Sequence, residues 1–487
     1  MSMQGCSRGR RLFRALRWVA LSAALPALWA CTSRSLEQPN VMPQRTFNRR
    51  FPQKINRDVD LLFMIDDSNS MLKSQANLLR NFPRFMQRLA SFEGGLPNVH
   101  IAVISSDMGD GGAGTSMCNA TGKGGIFQST PRGLCTATTL QPGATFISNV
   151  GGVANYTGNL DEVFTCIAAL GQDGCGFEQQ FAAITRALGA DGQAAPIENQ
   201  GFLRDDAYLA IVMITNEDDC TSAVGGGFYG PQSLTSQLGT SFRCNEFGHI
   251  CDGASPSRYA PNNAVGDTVS YQSCTSAEGG ALKDVAETAA QIKALKADPA
   301  SQIVMAAITG PKGPYEVNWK APPPEIAEGP WPVVKHSCEA ADTSYADPSV
   351  RVTELVQQFG GNGVTLSICD AEFAPALEVI AQKIEVLLKP PCIEGKVANK
   401  PNTSAPDCTV VSHTRNGNSV VDSAIPSCAD SGGATPCWQL VPGQGTCTGQ
   451  TMQINNDPNA PPATSQDATV ACALCVDGVS APERGCP

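Results

Sequence analysis

Asp66-Asp67-Ser68-Asn69-Ser70 is the segment of this sequence whose residue types and spacing could do chemistry. It follows the apolar run Leu61–Ile65, and alternate residues of a turn there can point one carboxylate, Asp66, and two hydroxyls, Ser68 and Ser70, at a common point. These are hard oxygen donors of the kind that hold Mg²⁺ or Ca²⁺. A helix is expected next, and its N-terminus disfavours a bare cation, so carboxylates must outweigh that positive end. The competing reading is structural: Ser68 or Ser70 caps the helix, with Asp67 in its first turn. A second acidic stretch, Asn216-Glu217-Asp218-Asp219, ends the apolar run Leu209–Thr215. Such carboxyl ends are where ligands gather in open parallel sheets.

The elements that must position these residues read as alternating strands and helices. The unbroken run Leu61–Ile65 suits a strand buried on both faces. Leu79, Phe82, Met86 and Leu89 make a helical stripe that Pro83 bends or bounds. Residues 100–104 read as a strand, 160–170 as a helix, and Phe177, Phe181, Ile184 and Leu188 as the stripe of another helix. After the strand at 209–215, a helix striped by Leu282, Val285, Ala289, Ile292 and Leu295 leads into a strand at 303–308. A helix at 352–359, a strand at 364–369 and a helix striped from Phe373 to Leu387 close the series. The expected class is therefore α/β, a doubly wound and mostly parallel sheet. Two insertions, 220–275 with four cysteines and 310–348 with Pro322-Pro323-Pro324, show no helical periodicity. Residues 31–57 read as a tether, 58–390 as the main domain, and 391–487 as a small Cys-rich domain held by disulfides.

Composition and cysteines give an address. With 487 residues, 42% of them apolar, the chain can bury a large core. Its net charge is −11, and residues 1–30 hold five arginines and no acid, so the mature form is more acidic still; this argues against nucleic acid as a partner. Those arginines, followed by the apolar stretch Trp18–Trp29, form a signal peptide. Leu28-Trp29-Ala30-Cys31 resembles the lipobox of bacterial lipoproteins, although Trp29 stands where a small residue is usual, and it implies lipidation at Cys31 and an outer-membrane location, on the periplasmic side or the cell surface. Export runs through the general secretory route, or through the twin-arginine route that Arg10-Arg11-Leu12-Phe13 resembles. Of the 20 cysteines, ten fall between Cys118 and Cys369 and eight between Cys392 and Cys486, so each part can close its own disulfides. Cys166 and Cys175 flank the loop Gly171–Gly176, and a bridge between them would stiffen it.

An apolar strand, Asp-x-Ser-x-Ser and an amphipathic helix within an alternating chain resemble the metal-ion-dependent adhesion site (MIDAS) of von Willebrand factor A (vWA) domains. The resemblance covers 58–390. It implies that Asp66, Ser68 and Ser70 form the first metal loop, that Thr145–Val150 is a short antiparallel edge strand, and that the cofactor is a divalent ion: Mg²⁺ first, Ca²⁺ or Mn²⁺ as alternatives. It also implies that a partner's carboxylate can complete the coordination. The chain departs from the pattern twice. The loop Gly171–Gly176 lacks the family's threonine, leaving Asp173 or Glu178 to substitute, and Asn216 stands where an aspartate is expected, leaving Glu217 or Asp218 to supply the charge.

Three functions follow as expectations. The first is a non-enzymatic cell-envelope lipoprotein that binds a protein or extracellular partner through the metal site. The second is a structural scaffold in which that site has degenerated. The third is a phosphatase of the haloacid dehalogenase type, using Ser105 and Asp218-Asp219. This last reading is weakened by Ser68, which stands where the general acid belongs and cannot supply a proton in that role. His100, His249, His336 and His413 are scattered singly and read as structural or exposed.

Overall fold

The computed structural model describes residues 45–486, apart from 53–55, 93, 113–117, 133–134, 136–138, 224–227, 229–241, 323–328, 390–391, 417–418, 444–446, 458–465, 477 and 479. The signal peptide and Cys31 lie outside the described residues.

Strand Asp58–Ile65 is the centre of the molecule, and its composition explains why. Leu61, Phe63 and Ile65 enter one apolar core and Leu62 and Met64 enter another, as the period of two requires of a strand covered on both faces. It pairs in parallel with Asn98–Ser105 on one side and Tyr208–Ile214 on the other. Ile303–Thr309 and Gly363–Ser367 extend the parallel run. Beyond Asn98–Ser105 come two antiparallel strands, Ile147–Val150 and Val153–Ala154. Ile147–Val150 is thus antiparallel, but Val153–Ala154 covers it as the outermost strand.

Helices Leu72–Ala90, Leu160–Ala168 and Ala374–Leu388 pack on the first face, and Gln180–Ala187, Val285–Lys293 and Arg351–Gln357 on the second. Phe63, Phe82, Phe85 and Phe164 meet in the first core, with the Phe82 and Phe164 rings stacked at 3.5 Å. Each such fully buried ring stabilises the fold by about 1.5–3 kcal/mol, and together they hold the helix that follows Ser70 against the strand that precedes Asp66. Pro83 lies inside that helix. Phe177 precedes the helix whose stripe it was expected to begin; that helix starts at Gln180, and Phe177 is buried in a separate cluster with Cys175 and Cys220.

The expected class, one doubly wound and mostly parallel vWA- or Rossmann-like sheet, is overturned. The described residues form six sheets, of which five are wholly antiparallel, and the seven-stranded one is itself mixed. The reason lies in the segments without strong apolar periodicity, which build small sheets of their own. Thr268–Tyr271 from the first insertion pairs with Tyr315–Lys320 from the second, so the two insertions share one core around Val317 and Trp319. The first insertion also forms a short helix, Phe242–Gly248. In the C-terminal part, a four-stranded and a three-stranded sheet enclose Ile393, Val410, Trp438 and Val470. Arg45–Pro52, read in sequence as the end of the tether, is an edge strand of that four-stranded sheet, paired with Gln466–Leu474. Phe47 packs against its core.

Among the described residues, nine disulfides join 18 cysteines, five within Cys118–Cys369 and four within Cys392–Cys486. Each part closes its own bridges, as the even counts allow, and such a density belongs to an oxidising compartment outside the cytosol. The bridge between Cys166 and Cys175 does not form: Cys166 pairs with Cys135 and Cys175 with Cys118. No described helix is long and apolar enough to cross a membrane.

Candidate functional site

Register places the site. Ile65 lies level with Ser105 and Ile214, and Ile214 with Ile308, so the chain leaves four neighbouring parallel strands at one height. Asp66, Ser106 and Thr215 are the first residues past that line, and the Asp66 amide still donates to the Ile214 carbonyl at 2.9 Å. Past Asp66 the chain turns through a short 3-10 segment, Asn69–Met71, into helix Leu72–Ala90.

Neither serine caps the helix: no side-chain cap bond is made at Ser68 or at Met71, the residues at the two helical starts. The hydroxyls turn to each other and to the next strand instead. Ser68 Oγ and Ser70 Oγ are 3.1 Å apart, and Ser70 Oγ donates to Asn216 Oδ1 at 3.2 Å. Asp66 is fully buried; its Oδ1 accepts the Ser68 amide at 2.8 Å and its Oδ2 accepts the Thr215 hydroxyl at 2.8 Å. Gln180 Nε2 donates to Thr215 Oγ1 in turn. Asp66, Ser68, Ser70 and Asn216 are therefore brought together, with Thr215 as a member that sequence reasoning passed over. Its signal was available: a hydroxyl immediately past an all-apolar strand.

Glu178 is 1% exposed, and Ser106 Oγ donates to its Oε2 at 2.8 Å while its Oε1 has no hydrogen-bond partner. Burial raises its carboxyl well above the ordinary range, and the negative charges of Asp66, Glu217 and Asp67 push in the same direction. Glu217 is raised by burial and then by Asp347 and Asp66. Burial lifts Asp66 to about 6 against the hydrogen bonds from Ser68 and Thr215. Three acids thus feel one another in a place where ionisation is disfavoured until positive charge arrives. Among the described residues no group of three or more His, Cys, Asp or Glu side chains is arranged to hold a metal directly. The donors that do converge are hydroxyls, one carboxylate and one amide oxygen. They suit a hard cation that keeps some of its water, and the unsatisfied Glu178 oxygen is the kind of atom such an ion would pair.

The remaining expected residues go elsewhere. Asp173 is exposed on its loop. Asp67 points away from Asp66, bonding to Ser105 Oγ at 2.6 Å and pairing with Lys123. Its carbonyl accepts the Gly174 amide, and a Cβ on Gly174 would sit 2.3 Å from Asp67 Oδ1, so only glycine fits that approach. Ser105 is thereby committed to Asp67. Asp218, expected as a source of charge for the metal, is committed as well. It bonds His249 Nε2 at 2.8 Å and accepts the amides of Val350, Arg351 and Val352 at the start of helix Arg351–Gln357. Burial opposes its ionisation, but His249 and those amides outweigh burial and hold the carboxyl below the usual carboxylate range. Asp219 forms a buried pair with Arg351 at 3.2 Å.

The second insertion supplies the rim. Asn216 Nδ2 donates to the Tyr345 carbonyl and the Asp347 amide to the Asn216 carbonyl, at 3.1 and 2.9 Å. Above them the His336 ring stacks on Tyr345 at 3.7 Å and bonds Asp347 at 2.8 Å. His100, His249 and His413 are also held by partners, respectively the Phe202 carbonyl, Asp218 with Tyr315, and Asp422 with Thr469.

No family model matches the chain, and no curated protein matches it. Among solved structures it is similar to the pilus adhesin SpaC from Lactobacillus rhamnosus GG, with 14% identity, a TM-score of 0.28, and coverage of 92% of this chain and 45% of that one. It is also similar to proximal thread matrix protein 1 from the mussel byssus, with 8% identity, a TM-score of 0.25, and coverage of 72% and 52%. A third is the human COPII-coat protein Sec24c, with 9% identity, a TM-score of 0.30, and coverage of 88% and 46%. The chain thus spans about half the length of each, and likeness at these TM-scores carries no argument about fold or function.

Proposed function

We propose that this chain is a bacterial cell-envelope lipoprotein, anchored at Cys31, that binds a protein or extracellular partner through a divalent cation at Asp66, Ser68 and Ser70. The observation that carries the reading is the convergence of Ser68, Ser70, Asn216 and Thr215 around the buried Asp66, at the carboxyl ends of parallel strands, in place of any helix cap. The likeness of Asp66-x-Ser68-x-Ser70 to the MIDAS of vWA proteins supports it, as do the nine disulfides of an exported chain. Mg²⁺ is the first candidate ion. The chain's own part is to hold the oxygen donors in place on rigid strand ends and to bury Asp66 where its charge acts at low dielectric. Calorimetric titration of the full chain with Mg²⁺, Mn²⁺ and Ca²⁺ tests this. A saturable site that vanishes in Asp66→Ala, with partner binding weakened by EDTA and by the same substitution, is the expected result; partner binding unchanged in both would count decisively against it.

A second reading, a scaffold with a degenerate site, is favoured by Asn216, whose neutral amide is a weaker ligand for a hard cation than a carboxylate and already donates to Tyr345. It expects no saturable heat with any of the three ions.

A further inference from the structure

Two of the four histidines, His249 and His413, close the same kind of chain, from a carboxylate through the ring to a hydroxyl, and they differ in where the hydroxyl lies. The hydroxyl at His249 belongs to Tyr315, which is 3% exposed in the core of the insertions and closed to any substrate. At His413, Nδ1 lies 2.6 Å from Asp422 Oδ1 and Nε2 lies 2.7 Å from Thr469 Oγ1. Three neighbouring strands of the four-stranded C-terminal sheet, Ser419–Ile425, Cys408–Asn416 and Gln466–Leu474, each deliver one of these residues. Register puts them on one face: His413 is level with Asp422 and with Asp467, and Thr469 follows Asp467 by two, the repeat of a strand. A carboxylate can only accept, so Nδ1 carries the proton, and Nε2 keeps a lone pair to which the Thr469 hydroxyl donates. Acid, base and hydroxyl are thus wired as in a nucleophilic triad, where the acid fixes the ring and the ring takes the hydroxyl proton. Thr469 also lines an open cleft of about 300 Å³, to which the edge strand Arg45–Pro52 contributes Asn48 and Arg49, and the segment before Ile303–Thr309 contributes Asp298 and Ser301.

We infer that Thr469, His413 and Asp422 form an acyl-transfer site, sharing no residue with the Asp66 cluster, that acts on carboxylic esters small enough to enter this cleft. Thr469 Oγ1 bonds to the ester carbonyl carbon while His413 Nε2 takes the hydroxyl proton. The C–O bond to the alcohol then breaks, and Nε2 returns the proton to the departing oxygen. Water opens the acyl-threonine in the same way: its proton goes to Nε2, the bond from the acyl carbon to Oγ1 breaks, the proton passes to Oγ1, and a carboxylic acid leaves. Among the residues lining the cleft, Asn48 and Arg49 carry the N–H donors that the negative oxygen of each intermediate needs, whereas the Ser301 hydroxyl is committed to Asp298 at 2.6 Å. Asp422 is a positioning residue whose side chain is 61% exposed, so water competes for its carboxylate and it contributes less than a buried acid would.

The test is incubation of the full chain with p-nitrophenyl acetate in EDTA, following p-nitrophenolate release and, after an acid quench, locating the acetyl group by mass spectrometry. EDTA makes the outcome independent of the cation reading. Wild type is expected to turn the ester over and to carry acetyl on Thr469, Thr469→Val to do neither, and Thr469→Ser to keep the reaction. His413→Ala is expected to lose at least about a hundredfold in kcat and to regain part of it with added imidazole, above the imidazole blank, which a merely structural histidine would not allow. Asp422→Asn is expected to lose severalfold in kcat at unchanged KM. Circular dichroism and thermal melting establish that the variants are folded; should Thr469→Val fail to fold, the position of the acetyl group in wild type decides. Release no faster than in Thr469→Val, acetyl on other side chains but not on Thr469, or a wild-type rate in folded His413→Ala overturns the site.

Discussion

Glu217 and Asp218 are neighbours in sequence, yet they belong to opposite electrostatic designs. Asp218 and Asp219 are supplied with an imidazole, a guanidinium and amides: His249, Arg351, and the first N–H groups of helix Arg351–Gln357. Asp66 and Glu178 each receive a hydroxyl, and Asp66 one amide as well, while the charges that neighbour these two and Glu217 are negative. The first group is a finished joint that ties the first insertion, through His249, and the second, through Tyr315, to the main sheet. The second group is left short of positive charge. The difference teaches that acidity at a strand end says little by itself, because what separates a strut from a ligand site is whether the fold has already met its charge.

Substitutions at the two groups should part accordingly. Asp218→Ala breaks a buried pair and strips three amides of their acceptor, and should cost about 3–5 kcal/mol in urea denaturation. Asp66→Ala, measured without metal, should cost no more than about 1–2 kcal/mol, since it removes a carboxyl whose ionisation the site already disfavours. Equal losses would erase the contrast. Acid gives a smaller effect of defined sign. Because the Asp218 carboxyl is held below its usual range in the fold, its contribution is present above the unfolded value of about 3.9 and lost as pH falls through the lower folded one. Wild type should therefore lose stability below about pH 4 more steeply than Asp218→Asn, as melting temperatures against pH would show. Smallest of all, Asp173→Ala should stay within about 0.5 kcal/mol of wild type and leave cation affinity unchanged, because that residue is exposed. A weaker ion in that variant would bring the loop back into the site.

What could be read from sequence follows from what burial does to composition. Strands Asp58–Ile65, Tyr208–Ile214 and Ile303–Thr309 are covered on both faces, so they carry unbroken apolar runs. The helices over them carry stripes, and both signals survive without any partner being known. Strands Cys338–Glu339 and Tyr345–Ala346 are two residues long and have no period to show, while Cys408–Asn416 and Ser419–Ile425 are longer but mix polar with apolar residues, which is why the small antiparallel sheets, and with them the fold class, escaped. In the site, Asp66, Ser68 and Ser70 were legible because one turn holds all three. The commitments of Asp67 and Asp218 depend on Lys123 and His249, 56 and 31 positions away, and nothing local announces such pairs. The same holds for the cysteines, whose grouping the counts gave and whose partners they could not.

Strand Arg45–Pro52 sets an order of events. Its partner, Gln466–Leu474, lies more than 400 positions later, so it is made only after the whole α/β part that separates the two strands. Until then the first strand is an open edge able to pair with the wrong neighbour. Closing that ladder therefore follows synthesis of the α/β part, which the two paired strands bracket in sequence.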